Sequence, residues 1–234
     1  MEISESLVKP DTRPGRPARK AGDSTRERML DAAEKLFAEH GFQGTSMRDI
    51  AGVAGARLAL VTYHFGTKDA LFARVVERRS FYMNSRRIAA LDEARKLTDD
   101  GPAPIRLLVE GYIWPFLERW HQGGPGWMHY STLIARLATS PMRAKVISEY
   151  YDAVSRQYII EFRRALGDAA EEDVYHAFNF MVGVMLAAVS EPDRVEKLSR
   201  GKVSASDVDG MFKTMSRFVE AGFAAIAVTA PARG

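Results

Sequence analysis

The stretch LALVTYHFGTKDAL, Leu58 to Leu71, sets a phenol, an imidazole, a hydroxyl and an ammonium (Tyr63, His64, Thr67, Lys68) directly after an apolar run. Those groups suit hydrogen bonding to phosphates and base edges better than bond-breaking chemistry. Arg57 precedes the run and Arg48 lies one short segment upstream. Further back, RPGRPARK (Arg13–Lys20) is compact and basic. Arg16 and Arg19 are candidates to enter a narrow minor groove, where a cation is favoured. The other reading is a floppy tail drawn to phosphate. Catalytic patterns are missing. His40, His64, His121, His129 and His176 have no metal-ligand spacing, and HExxH, GxSxG and P-loop patterns do not occur. Gly66-Thr67-Lys68 lacks a preceding glycine-rich loop, and Glu118 with His121 reads as a chance pair. No cofactor or metal is called for, and an enzyme without a recognisable motif is a remote alternative.

These groups need elements to hold them. Ser24 with Glu27 forms a capping-box pattern, and Met29, Leu30, Ala33, Leu36 and Phe37 then recur at helical spacing as far as His40. Gly41 supplies the stop, and Phe42 is expected under the helix end. Ser46 and Asp49 make a second capping box ahead of Ile50, Ala51 and Ala54. Gly55 can take the left-handed turn, and a third helix runs from Arg57 or Leu58 to Phe65. Ile50, Leu58 and Val61 should face Leu36 and Phe37. Arg57, Leu60, Thr62, Tyr63 and His64 are then left pointing outward. Thr67 caps a fourth helix that starts at Lys68 and reaches Leu91 or beyond. Two short helices joined by a tight glycine turn, braced by a longer one, form a helix-turn-helix unit. Further helices are expected at 104–121, 127–138, 142–166, 171–190 and 206–228, with no strand alternation, so the fold class is all-α.

Composition agrees. The 234 residues are 46% hydrophobic and 27% charged, a globular balance. Cysteine is absent, which excludes disulfides and thiolate chemistry and fits a reducing cytosol. The first residues, MEISESLVKPD, have no apolar core of a signal peptide. No uninterrupted apolar run spans a bilayer, and Val174–Val189, which contains His176 and Asn179, suits a buried helix better. A cytoplasmic protein with no membrane partner is expected. Net charge is +3, yet Lys9–Arg28 holds seven basic residues against three acidic, and Ala169–Glu220 six against nine. A basic arm ahead of a folded unit is a mild nucleic-acid signal.

The run TSMRDIAGVAGARLALVTYHFGTKDAL, following MLDAAEKLFAEHGF, resembles the DNA-binding domain of TetR-family transcriptional repressors over residues 24–72. The likeness rests on Phe37 with Gly41-Phe42, Thr45 with Ile50-Ala51, Ala54-Gly55, Tyr63 with Phe65, and Lys68 with Leu71. The Tyr-His-Phe-Gly-Thr-Lys ending looks like a branch that includes fatty-acid-responsive members. The resemblance implies that Thr45 caps the second helix and touches phosphate, and that Tyr63 and Lys68 touch phosphate. At Lys68 the positive end of the fourth helix gives a second cause. Arg48 and Arg57 are candidates for base edges or backbone. Arg57 departs from the pattern, which favours Ser, Thr or Asn as a helix cap. Arginine cannot cap, so the helix start is loosened or the DNA contact altered. The organisation implied is a disordered basic arm (1–23), a helix-turn-helix domain (24–70) and a helical ligand-binding and dimerisation domain (71–230), joined by the fourth helix.

Such regulators act as two-fold dimers, with recognition helices about 34–36 Å apart or a multiple of this. The apolar segment Val174–Val189 implies burial on more than one side, and Met211–Ala227 is amphipathic. Phe180, Gly183, Ala187, Met215, Phe218 and Gly222 are the interface candidates, the alternative being intrachain core. Pro115, inside a helical pattern, removes the N–H partner of the Gly111 carbonyl. A cavity there would be lined by Trp114, Phe116, Trp127, Met128 and Tyr130, unless these are ordinary core. Arg136, in the apolar run LIARLA, either meets a ligand carboxylate or phosphate, or snorkels and pairs with Glu149 or Glu161. The expected function is a repressor that binds a near-palindromic operator as a homodimer and is released by an apolar or amphipathic, fatty-acid-like effector. A ligand-independent or activating regulator is the alternative.

Overall fold

The computed structural model describes residues 21–98, 101–138 and 144–228, and Arg16 and Arg19 lie outside these. The described residues form ten helices and no strand. α1 (Ala21–His40), α2 (Met47–Val53) and α3 (Leu58–Phe65) make the N-terminal unit. α4 (Lys68–Lys96) leads into a bundle of α5 (Ile105–Gln122), α6 (Pro125–Ala138), α7 (Ala144–Leu166), α8 (Glu171–Ser190) and α10 (Val208–Val228), with short α9 (Asp193–Leu198) between the last two. α9 was not expected from the sequence, and α1 starts three residues before Ser24, so Ser24 lies within its first turn instead of capping it.

The small unit is organised by three rings. Phe37, Phe42 and Phe72 meet with centroids 5.1–5.7 Å apart, so Phe42 does tuck under the end of α1. Gly41 there has φ +72°, and Gly55 in the α2–α3 turn has φ +61°, values that cost a side chain about 1–2 kcal/mol. Ile50, Ala51, Val61 and Phe65 close the core. Leu58 does not join them: it is on the same face but is the first residue of α3, and it is 39% exposed.

α4 is shared. Its apolar stripe (Leu71, Phe72, Val75, Val76, Met83, Leu91) is buried along its whole length, first against α1 and then against α5 and α7. α6 packs back on α1, so one continuous hydrophobic cluster extends from Met29 to Phe223. α5 runs through Pro115, which is buried. α8 is long and apolar enough to cross a membrane by length and composition. One of its faces (Val174, Phe178, Met181, Met185, Val189) enters the bundle, while Phe180, Gly183 and Ala187 are exposed. Within this chain one side of α8 is buried and the opposite side is open.

Candidate nucleic-acid interface and interior cavity

α2 begins with a complete capping box. The Asp49 N–H donates to Ser46 Oγ (3.2 Å), and the Ser46 N–H donates to Asp49 Oδ2 (2.9 Å). Donation from the Ser46 hydroxyl and amide holds the Asp49 carboxyl below its usual pKa. Thr45, one residue earlier, is not the cap, and its side chain points into the core. It is 2% exposed, and its hydroxyl donates to the carbonyls of Gly41 (2.9 Å) and Leu36 (3.1 Å). Inside the core that hydroxyl serves the chain turn after α1.

Lys68 is also turned inward. Its ammonium donates to the carbonyls of Phe42 and Thr45, each at 2.9 Å, and stands 4.2 Å from the Phe42 ring centre. It therefore ties the start of α4 to the α1–α2 connection, with two of its three N–H bonds spent on the protein itself. Lys68→Met should lower stability by about 2 kcal/mol in chemical denaturation, the scale of hydrogen bonds from a charged group. The dependence of DNA affinity on salt should keep its slope, since that slope counts phosphates neutralised. A shallower slope would return Lys68 to the phosphate role.

α3 presents the outward face expected. Arg57 occupies the N-cap position in extended geometry (φ −76°, ψ 141°) and makes no side-chain cap bond. Arg48, Arg57, Leu60 and Thr62 are exposed. Tyr63 is 82% exposed, and the half-buried His64 ring meets it edge-on at 5.4 Å. Gly66 (φ +70°) ends the helix by donating its N–H to the Thr62 carbonyl at 2.8 Å. Thr67 caps α4 by accepting from the Ala70 N–H. A tyrosine so exposed, two residues from a fully buried Val61, is held out by a rigid scaffold.

The pocket residues are dispersed. Trp114 packs on Phe212 of α10, with centroids 4.7 Å apart. Trp127 packs on Tyr82 and lies under the Arg79 guanidinium. Met128 is half exposed. Arg136 is exposed and donates to the Glu39 carbonyl of α1 (3.2 Å), and Glu161 is instead bonded to Arg95 and Arg164. Only Phe116 lines the interior cavity, and Tyr130 stands behind it, its hydroxyl bonded to that of Tyr151.

The cavity holds about 480 Å³ between α4, α5, α6, α7 and α8, and includes Arg87, Tyr112, Phe116, Tyr151, Ser155 and Phe178 in its wall. Arg87, which the sequence reading passed over, is 2% exposed. Its Nε donates to the Tyr112 carbonyl (3.0 Å), Nη2 lies 3.7 Å from Met185 Sδ, and the Tyr112 ring faces it at 3.8 Å. The Tyr158 hydroxyl donates to the Arg87 carbonyl (2.8 Å) and the Tyr112 and Ser155 hydroxyls bond at 3.1 Å. Burial pushes the Tyr151 phenol up to about 12 and that of Tyr130 well above its ordinary value, so both stay neutral. A signal existed: Val76, Ser80, Met83, Arg87, Leu91 and Ala94 share one helical stripe, and only Arg87 is charged.

Of the interface set, Phe180, Gly183, Ala187, Phe218 and Gly222 are exposed, whereas Met215 is buried within its own chain. A Cβ built at Gly183 or Gly222 meets nothing within 4 Å. Among the described residues, no cluster of three or more His, Asp or Glu is placed to hold a metal.

Two family models match the chain. One, described as bacterial regulatory proteins of the tetR family, covers residues 29–75, and the other, a tetracyclin repressor-like C-terminal domain, covers 110–222. The HTH-type transcriptional repressor Rv3405c of Mycobacterium tuberculosis is 37% identical over 108 residues, 43% of this chain and 57% of that protein. The HTH-type transcriptional repressor NicS of Pseudomonas putida is 32% identical over 99 residues, 42% of this chain and 43% of NicS. The matches thus span 57% of the one relative and 43% of the other, less than two thirds of either. Among solved structures, the ketosteroid transcriptional regulator KstR2 of Mycobacterium tuberculosis aligns with TM-score 0.58 at 18% identity, over 87% of this chain and 98% of KstR2. A TetR-like transcriptional regulator from Rhodococcus aligns with TM-score 0.57 at 21% identity, over 88% and 100%. These two likenesses concern the fold.

Proposed function

Since this chain belongs to the TetR family of bacterial regulatory proteins, we propose that it is a DNA-binding transcriptional repressor of the cytoplasm, acting as a homodimer on a near-palindromic operator. The outward face of α3, with Tyr63 82% exposed beside exposed Arg57, Leu60 and Thr62, carries the reading. Tyr63 donates to a phosphate, and Arg48 and Arg57 reach base edges or backbone. Thr45 and Lys68 keep the unit rigid. The exposed faces of α8 and α10 meet their copies, so that two recognition helices lie one duplex turn apart.

An apolar or amphipathic effector, fatty-acid-like in its combination of an apolar body with a polar head, occupies the cavity beside α4 and releases the operator. The open volume there favours this over a ligand-independent regulator, which would need no such space. By linkage, an effector that prefers the conformation with misplaced recognition helices lowers operator affinity. α4 is the connecting element, since Lys68 and Arg87 are 19 positions apart on it, about 28 Å of helix.

Capture of genomic fragments by the purified protein should give a near-palindromic site. Tyr63→Ala should weaken every site, specific and non-specific, by about 10- to 100-fold. A Tyr63→Ala protein that binds like the parent would sink the assignment of α3.

A further inference from the structure

Arg87 is a permanent cation in a buried, largely apolar setting, since guanidinium does not deprotonate in proteins. Such a charge normally has a carboxylate partner. Among the described residues none forms an ion pair with Arg87; its partners are a carbonyl, a thioether and aromatic faces. The neighbouring phenols cannot neutralise it, because burial keeps Tyr151 and Tyr130 protonated. The cavity wall contains one acid, Asp152, and that is taken by Arg156 at 3.3 Å and by the Ser148 hydroxyl. Two arginines against one aspartate leave the cavity with one net positive charge. The rest of the wall is largely aromatic and aliphatic, with Phe116, Phe178, Ile134 and Leu186 beside Tyr112.

We propose that this cavity is a site for a monocarboxylate with an apolar body, its carboxylate held by the Arg87 guanidinium and its body packed among Phe116, Phe178 and Leu186. The proposal rests on the effector reading above and gives it a chemical class and an anchoring residue. Ser155 and the Tyr112 hydroxyl supply further donors on the same wall. A single positive charge fits a monoanion; a dianion would leave one charge unmatched in a setting that penalises it.

The test is calorimetric titration of the full chain, without DNA, with decanoate and hydrocinnamate, and with decanol and hydrocinnamyl alcohol as neutral counterparts. At least one carboxylate should bind at least about tenfold more tightly than its alcohol, and the pair that does so tells an acyl from an aryl source. Arg87→Met should erase that difference while the ligand-free protein melts no lower than the parent, because the variant no longer buries an unmatched charge. If Arg87→Met does not fold, Arg87→Lys carries the test: carboxylate affinity falls with the loss of the fork, and alcohol affinity stays. Equal affinity for acid and alcohol, carboxylate binding that survives Arg87→Met or is unweakened in Arg87→Lys, or no binding of either carboxylate would overturn the proposal. Failure of the parent to bind any DNA would strike the repressor reading and leave these titrations intact.

Discussion

Phe180→Glu is expected to turn the protein into a monomer and to weaken operator binding by at least about a hundredfold. Phe180 is 66% exposed on α8, and Phe218 is 68% exposed on α10, across a groove that also includes His176, Met181, Gly222 and Ile226. An apolar groove flanked by open glycines allows close approach of a second copy. In a two-fold contact each substitution counts twice, which adds two carboxylates to a largely apolar groove that already has Asp173 at its wall. Loss of the second recognition helix removes the effective-concentration gain, about 10²–10⁴ for a well-spaced pair. Sedimentation velocity and operator titration on one preparation measure both effects. A dimer that persists, with full operator affinity, would place the partner contact elsewhere.

Glu34→Ala should produce the largest loss of stability, about 3–5 kcal/mol, or roughly 6–20 °C in melting temperature for a chain of this size. Glu34 is fully buried on α1 and accepts from Arg78 and from both Arg79 nitrogens, Nε and Nη2, each of the latter at 3.1 Å. Burial disfavours the Arg78 charge, but Glu34 and Asp31 outweigh it and hold its pKa above the ordinary value. Arg78 keeps Glu27 and Asp31 after the substitution, whereas Arg79, among the described residues, keeps the Trp127 face. Calorimetry of Glu34→Ala against Glu34→Ala with Arg79→Met measures the orphaned charge, and the double variant should recover part of the loss. A cost below about 1 kcal/mol, typical of surface pairs, would show the cluster to be solvated.

What could be read in the chain and what could not divides by range. The Ser46–Asp49 capping box, the turns at Gly55 and Gly66 and the inward placement of Val61 and Phe65 are local, set within a few residues, and they occur as the pattern implies. The outward groups of α3 followed from the same period. Leu58 shares the helical phase of Val61 and Phe65, yet as the first residue of α3 it stays 39% exposed, which periodicity does not record. Thr45 and Lys68 were assigned to phosphate, but their partners are backbone carbonyls, which no side-chain pattern records. Arg136 drew notice as a charge in an apolar run, yet α6 is turned so that it reaches α1. Arg87 sits in a run rich in charge, where it did not stand out. The Glu34 cluster joins residues 44 and 45 positions apart, beyond any periodic signal. α9 has six residues and none buried, so it has no apolar stripe to find.

The unbroken hydrophobic cluster from Met29 to Phe223 has a thermodynamic corollary. With α6 seated on α1 and α4 threaded through both ends, the N-terminal helices cannot loosen without uncovering surface in the large bundle. Backbone amides in α1 would then exchange with solvent through openings that involve most of the chain, and a molecule bound far from α3 would slow that exchange there.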